Sequence, residues 1–96
     1  MRNTRQRNEF KRCFRRVARG RYRDVLAEGG ELRKVITALE NDEVLDYRYH
    51  DHPLKGDWLG SRECHIAPDL LLVYTLESEN ILWLERLGTR SEIFGM

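Results

Sequence analysis

The chain has 96 residues, of which 41% are hydrophobic and 34% charged, and its net charge is +1. A chain of this length builds one core, so one domain over residues 1–96 is expected, and its composition lies outside the disordered and membrane classes. No apolar run approaches the ~20 residues that cross a bilayer, and the opening MRNTRQRNEF has no apolar stretch behind its charges, so neither a membrane span nor a secretory leader is expected, and the reading is cytoplasmic.

The small net charge hides an asymmetry. Residues 1–34 carry twelve Lys or Arg against four acids, a balance of +8, whereas residues 35–96 carry five against twelve, a balance of −7. A basic arm is joined to an acidic half. The run Arg12, Arg15, Arg16, Arg19, Arg21 and Arg23 reads most simply as a solvated helix face. Its functional reading is phosphate contact, which attracts nucleic acid without specifying sequence; an acidic protein partner would use the same face.

In chain order, Met1 to Arg5 read as a short strand or a frayed end. Phe10, Cys13, Phe14 and Val17 then recur at helical spacing with arginines on the other face, and Gly20 is a stop signal. Leu32, Val35, Ile36 and Leu39 repeat that spacing between Gly30 and Asn41, which predicts a second helix and a helical hairpin. From Asn41 to Gly60 the periodicity is lost, and Pro53, Gly56 and Gly60 mark a long ordered loop in which Trp58 reads as a core anchor. After Gly60 the period becomes two. Ser61 to Ala67, Leu70 to Leu76 and Ile81 to Leu87 read as strands joined by turns at Pro68–Asp69 and Glu77–Asn80, hence an antiparallel meander. The fold class is α+β, two amino-terminal helices on one face of a small antiparallel sheet. Cys13 and Cys64 are far apart and read as small buried hydrophobes.

The alternation that sends Cys64 and Ile66 to the core sends Glu63 and His65 to the opposite, partly open face. His52 and Asp69 can reach that face from flanking loops, and Arg86, Arg90 and Phe94 follow at its far end. Imidazole, carboxylate, guanidinium and an aromatic ring are the parts that cleave RNA: a base for the 2′-hydroxyl proton, a cation for the phosphoryl charge and an acid for the leaving 5′-oxygen. Histidine suits both proton steps, and an aromatic ring holds a base by stacking. Each residue also has a plainer reading: Asp69 as a turn former, Glu63 as a surface ion-pair partner, Phe94 as packing and His50 as solvated loop. A metal site using His50, His52, His65 and Asp69 is the rival, but H-x-H with a distant third histidine matches no strong zinc signature. No metal ligands and no cofactor are assigned.

The strings DHPLKGDWLGSRECHIAPDLLLVY and LERLGTRSEIFG closely resemble the YafQ branch of the RelE superfamily of bacterial toxins. The resemblance implies a RelE-like fold, a ribosome-dependent endoribonuclease of messenger RNA that needs no metal, and a cognate antitoxin, with operator DNA reached only through it. By that resemblance His52 and His65 act in proton transfer, Asp69 and Glu63 are site carboxylates and Phe94 positions RNA. Two positions depart from the branch: Leu70 stands where many members have tryptophan, and Arg90 stands where the usual G-T-H has histidine. Arg90 then reads either as a cation for the phosphoryl charge or as the mark of a weakened enzyme, and an inert binding module is the alternative function. Arg12, Arg15, Arg16, Arg19, Lys55, Arg62 and Arg86 are taken as RNA- or ribosome-contacting cations.

Overall fold

The structure, a computed structural model, describes residues 1–95. Its elements are β1 (Asn3–Gln6), α1 (Asn8–Val17), α2 (Arg23–Leu26), α3 (Glu31–Glu40), β2 (His52–Pro53), β3 (Arg62–Ala67), β4 (Leu70–Leu76), β5 (Ile81–Gly88) and α4 (Arg90–Phe94). The two long helices and the three long strands fall where the periodicities put them.

The strands form one sheet in the order β1-β5-β4-β3-β2. The meander of β3, β4 and β5 is antiparallel, as short turns require. The sheet as a whole is mixed, because β1 lies parallel to β5 with Asn3 opposite Ile81 and Gln6 opposite Leu84. No hairpin ties β1 to β5, since most of the chain runs between them, so nothing forces an antiparallel arrangement. The predicted loop folds onto the other edge, where β2 sets His52 opposite Glu63.

The apolar stripes meet as their spacing dictates. Phe10, Cys13 and Val17 of α1 and Leu32, Val35 and Leu39 of α3 are buried with Cys64, Ile66, Leu70, Leu72, Tyr74, Leu82, Leu84 and Leu87 of the sheet. Both cysteines are free and buried. Burial raises the Cys64 thiol far above its ordinary value, which makes it an inert packing group. Leu71 and Val73 lie outside this helix-covered cluster yet are 2% and 0% exposed, so β4 is covered on both faces.

Two register shifts shape the open face. One falls between His65 and Ala67 on β3, and the other leaves Glu85 as an extra residue on β5 between Leu84 and Arg86. The core leucines 84 and 87 therefore flank two consecutive charged residues.

The helices α2 and α4 are additions to the predicted plan. Gly30 caps α3, and a Cβ there would lie 2.6 Å from the Val25 carbonyl oxygen and 2.8 Å from that of Asp24, so only glycine lets α2 and α3 approach this closely. Gly30→Ala is expected to destabilise the fold by about 1–3 kcal/mol, read as a lower midpoint in denaturant unfolding.

Candidate active site

The strand registers lay out the open face. His52 is opposite Glu63, Glu63 opposite Val73 and Val73 opposite Arg86, a row that crosses four strands. His65, two residues along β3, is opposite Leu71, which faces Gly88. Imidazole and carboxylate therefore stand on one side of a strip floored by Val73 and Leu71, and guanidinium stands on the other.

Glu63 is 0% exposed. Its Oε1 lies 3.0 Å from His52 Nε2 and accepts from Arg90 Nη2 at 2.9 Å, while Oε2 is buried with no hydrogen-bond partner. The reading of Glu63 as a surface ion-pair partner is thereby corrected: the residue leaves the helix-covered face as predicted, but His52 and Arg90 meet over its carboxylate. The His52 Nδ1 lies 3.1 Å from the Pro53 carbonyl oxygen. Both ring nitrogens lie close to oxygen atoms, one of Glu63 and one of Pro53.

His65 is half-buried, with its ring edge-on to His50 at 5.5 Å between centroids. His50 is the left-handed residue closing the 3-10 turn Tyr47–Tyr49, and this conformation holds its ring between Tyr47 and His65. The solvated histidine of the sequence is thus exposed but not isolated. His50, His52 and His65 line a cleft of about 740 Å³ with Glu31, Arg48 and Tyr49. Glu31 accepts from the Tyr49 hydroxyl and pairs with Arg48; the hydroxyl holds its carboxyl below the ordinary carboxylate range. Among the described residues, no three His, Cys, Asp or Glu side chains converge as a metal-binding group.

Arg90 and Phe94 are delivered by α4. Thr89 and Glu92 form a reciprocal capping box at its start, and Gly95 closes it in a left-handed conformation. The spacing Thr89-x-x-Glu92 is a helix signal that the sequence itself carries. Glu92 also pairs with Arg16 at 3.3 Å, and a Cβ on Gly88 would lie 2.8 Å from its Oε1, so glycine admits this packing. Phe94 meets Trp58 edge-on, at 6.0 Å and 87°. The reading of Trp58 as a core anchor is corrected: its ring is half-buried and lies outside the hydrophobic core, on the site face.

The structure does not bring Asp69 into the cluster of His52, Glu63 and Arg90. At the exposed β3–β4 turn its carboxylate accepts from Arg21 and from the Tyr22 hydroxyl. The other predicted cations divide. Arg15, Arg19 and Lys55 are exposed, and Arg12 pairs with Glu9 at 3.8 Å. Arg62 is bound to Asp51, which also accepts from the Tyr74 hydroxyl and so ties β2 to the sheet. Arg86 donates to the Glu85 carbonyl oxygen and lies 3.9 Å from Glu9. A further polar chain, unseen in the sequence, runs from Arg7 through Glu85 and Thr75 to Ser61.

A protein-family model described as bacterial toxin of type II toxin-antitoxin system, YafQ, matches residues 2–95. The mRNA interferase toxin YafQ of Escherichia coli strain K12 is 37% identical over 81 residues, which are 83% of each chain. Among solved structures, YafQ from Escherichia coli strain BL21(DE3) superposes with a TM-score of 0.82 at 32% identity, covering 99% of this chain and 100% of that one. A metal-bound toxin from Helicobacter pylori gives 0.84 at 38% identity, covering 98% and 100%. A chain of the Escherichia coli DinJ-YafQ toxin-antitoxin complex gives 0.79 at 29% identity, covering 98% of each. With a family match over nearly its whole length, and with the α+β fold and helix order that the motifs implied, this chain belongs to the YafQ family of bacterial toxins of type II toxin-antitoxin systems.

Proposed function

We propose that this chain is an endoribonuclease that cuts messenger RNA on the translating ribosome by attack of the 2′-hydroxyl on the adjacent phosphodiester. The observation that carries the reading is the contact of His52 and Arg90 with one buried carboxylate oxygen of Glu63, with His65 on the same face. His65 takes the 2′-hydroxyl proton as the 2′-oxygen bonds to phosphorus. The bond from phosphorus to the 5′-oxygen breaks, and His52 as general acid donates a proton to that leaving oxygen. The products are a cyclic phosphate and a 5′-hydroxyl. Arg90 and Arg86 supply fixed positive charge for the phosphoryl oxygens. Glu63 is a positioning residue.

This assignment accounts for arginine at position 90. A guanidinium has donors for both Glu63 and a phosphate oxygen, and its planar fork reaches the carboxylate at 2.9 Å. That contact supports a working residue over a disarming change. Asp69 enters by resemblance alone, and it joins the site only by leaving Arg21 and Tyr22.

The steps use imidazole and guanidinium and call on no metal. The metal-bound relative from Helicobacter pylori makes this point a direct test, since an imidazole that ligates a metal is lost to proton transfer. The antitoxin relation is carried by the DinJ-YafQ complex, and the basic face of α1 is the surface offered to an acidic partner or to ribosomal RNA. Acting on ribosomes places the protein in the cytoplasm, and operator DNA is reached through the antitoxin.

Cleavage of a defined transcript on programmed ribosomes tests the chemistry. In chelator this protein is expected to cut, His65→Ala to lose about 100-fold or more, and Arg90→Ala a similar factor, with Arg90→His retaining activity. Activity gained only in Arg90→His would mean a disarmed toxin. No cutting by any of them would favour the inert binding module, and dependence on added metal would overturn the proposed steps. For docking, reversing Arg15 and Arg19 to Glu, which spares the Arg16–Glu92 pair, is expected to weaken ribosome binding and flatten its salt dependence; unchanged binding would remove α1 from the ribosome contact.

A further inference from the structure

We propose that Trp58, with Phe94 and Arg86, forms a subsite for one unpaired nucleobase of single-stranded RNA; the assignment rests on the nuclease reading above. Four side chains from three elements converge at this corner. Trp58 comes from the 3-10 turn Gly56–Trp58, Arg86 from β5, and Arg90 and Phe94 from α4. The two rings stand at 87° with centroids 6.0 Å apart, so they form two walls of a corner. The Arg86 guanidinium lies over the indole at 5.1 Å, and that of Arg90 lies 5.7 Å from the Phe94 centroid.

Packing does not explain these rings. Neither Trp58 nor Phe94 belongs to the hydrophobic core or to the partly buried side chains packed against it. The loop is built to hold the indole here, since Gly56 and Gly60 take left-handed conformations on either side of it, and the neighbouring Leu59 is left 81% exposed. A chain that only needed to pin this loop would bury Leu59 and Trp58 together.

The chemistry of the corner fits a nucleobase. An indole face already covered by a planar cation accepts a flat, electron-poor ring in the same position. As the base stacks on Trp58, the Phe94 edge closes one side and Arg86 turns to the phosphate of the same nucleotide. Because Val73 separates Glu63 from Arg86 across the sheet, that phosphate lies beside the reacting groups. Trp58 therefore sets where along the strand the cut falls, and stacking makes it tolerant of base identity.

Two measurements decide the point. On programmed ribosomes, Trp58→Ala is expected to raise the concentration for half-maximal cleavage about tenfold with little change in kcat, and Trp58→Phe to recover most of the loss. In a Trp83→Phe protein, where Trp58 is the one remaining tryptophan of the sequence, a short RNA made uncuttable by 2′-deoxy substitution is expected to quench the indole fluorescence. An abasic residue at one position of that RNA should abolish the quench. No quench from a protein that still cuts through His65 would overturn the subsite and leave the nuclease standing. Quenching by a protein that does not cut would uphold the subsite and overturn the nuclease. The fluorescence arm also decides the case if Trp58→Ala fails to fold.

Discussion

The buried carboxylate of Glu63 is the constraint on which the rest of the open face depends. Taking a carboxylate out of water costs several kcal/mol unless charge and hydrogen bonds compensate it. Here the compensation comes from two elements that are otherwise weakly attached, the two-residue strand β2 through His52 and the five-residue helix α4 through Arg90. One oxygen atom thus gathers a base or acid and a cation from opposite ends of the sheet. The second oxygen stays buried and unpartnered, so the carboxylate is held by one side only.

The sheet divides structure from function by its two faces. The helices cover one face with leucine, valine and phenylalanine, and most of the residues there serve packing. The other face keeps its apolar residues to a floor, Leu71 and Val73, and spends its remaining positions on histidine, glutamate, arginine and tryptophan. The register shift at Glu85 belongs to this division. It adds a residue between two core leucines, and that residue begins the polar chain to Arg7 and Ser61. Arg16 bridges the faces: it sits on α1 and pairs with Glu92, which caps the helix that presents Arg90.

What could be read from the residues follows from how local each cause is. The two helices and three strands were legible because their periodicities of 3.6 and 2 are carried by the side chains themselves. The sorting of Glu63 and His65 away from Cys64 and Ile66 followed from the same alternation. Strand β1 showed only as a possible strand in the polar run NTRQ; its parallel place beside β5 is set by partners far along the chain. Trp58 reads as core because a lone tryptophan in a loop is usually packed, and nothing in the sequence places it opposite Phe94. The sequestration of Asp69 by Arg21 and Tyr22 was equally invisible, since it joins residues nearly fifty positions apart. Helix α4, in contrast, had its signal in Thr89 and Glu92.

If Glu63 and Arg90 work as one unit, their effects on cleavage must not add. The most direct measurement is a double-mutant cycle with Glu63→Gln, Arg90→Gln and the double variant, reading transcript cleavage on programmed ribosomes. The expected result is that either single change costs nearly as much as both together. Losses that multiply independently would contradict the account, because they would mean that the buried carboxylate does not hold the cation in place.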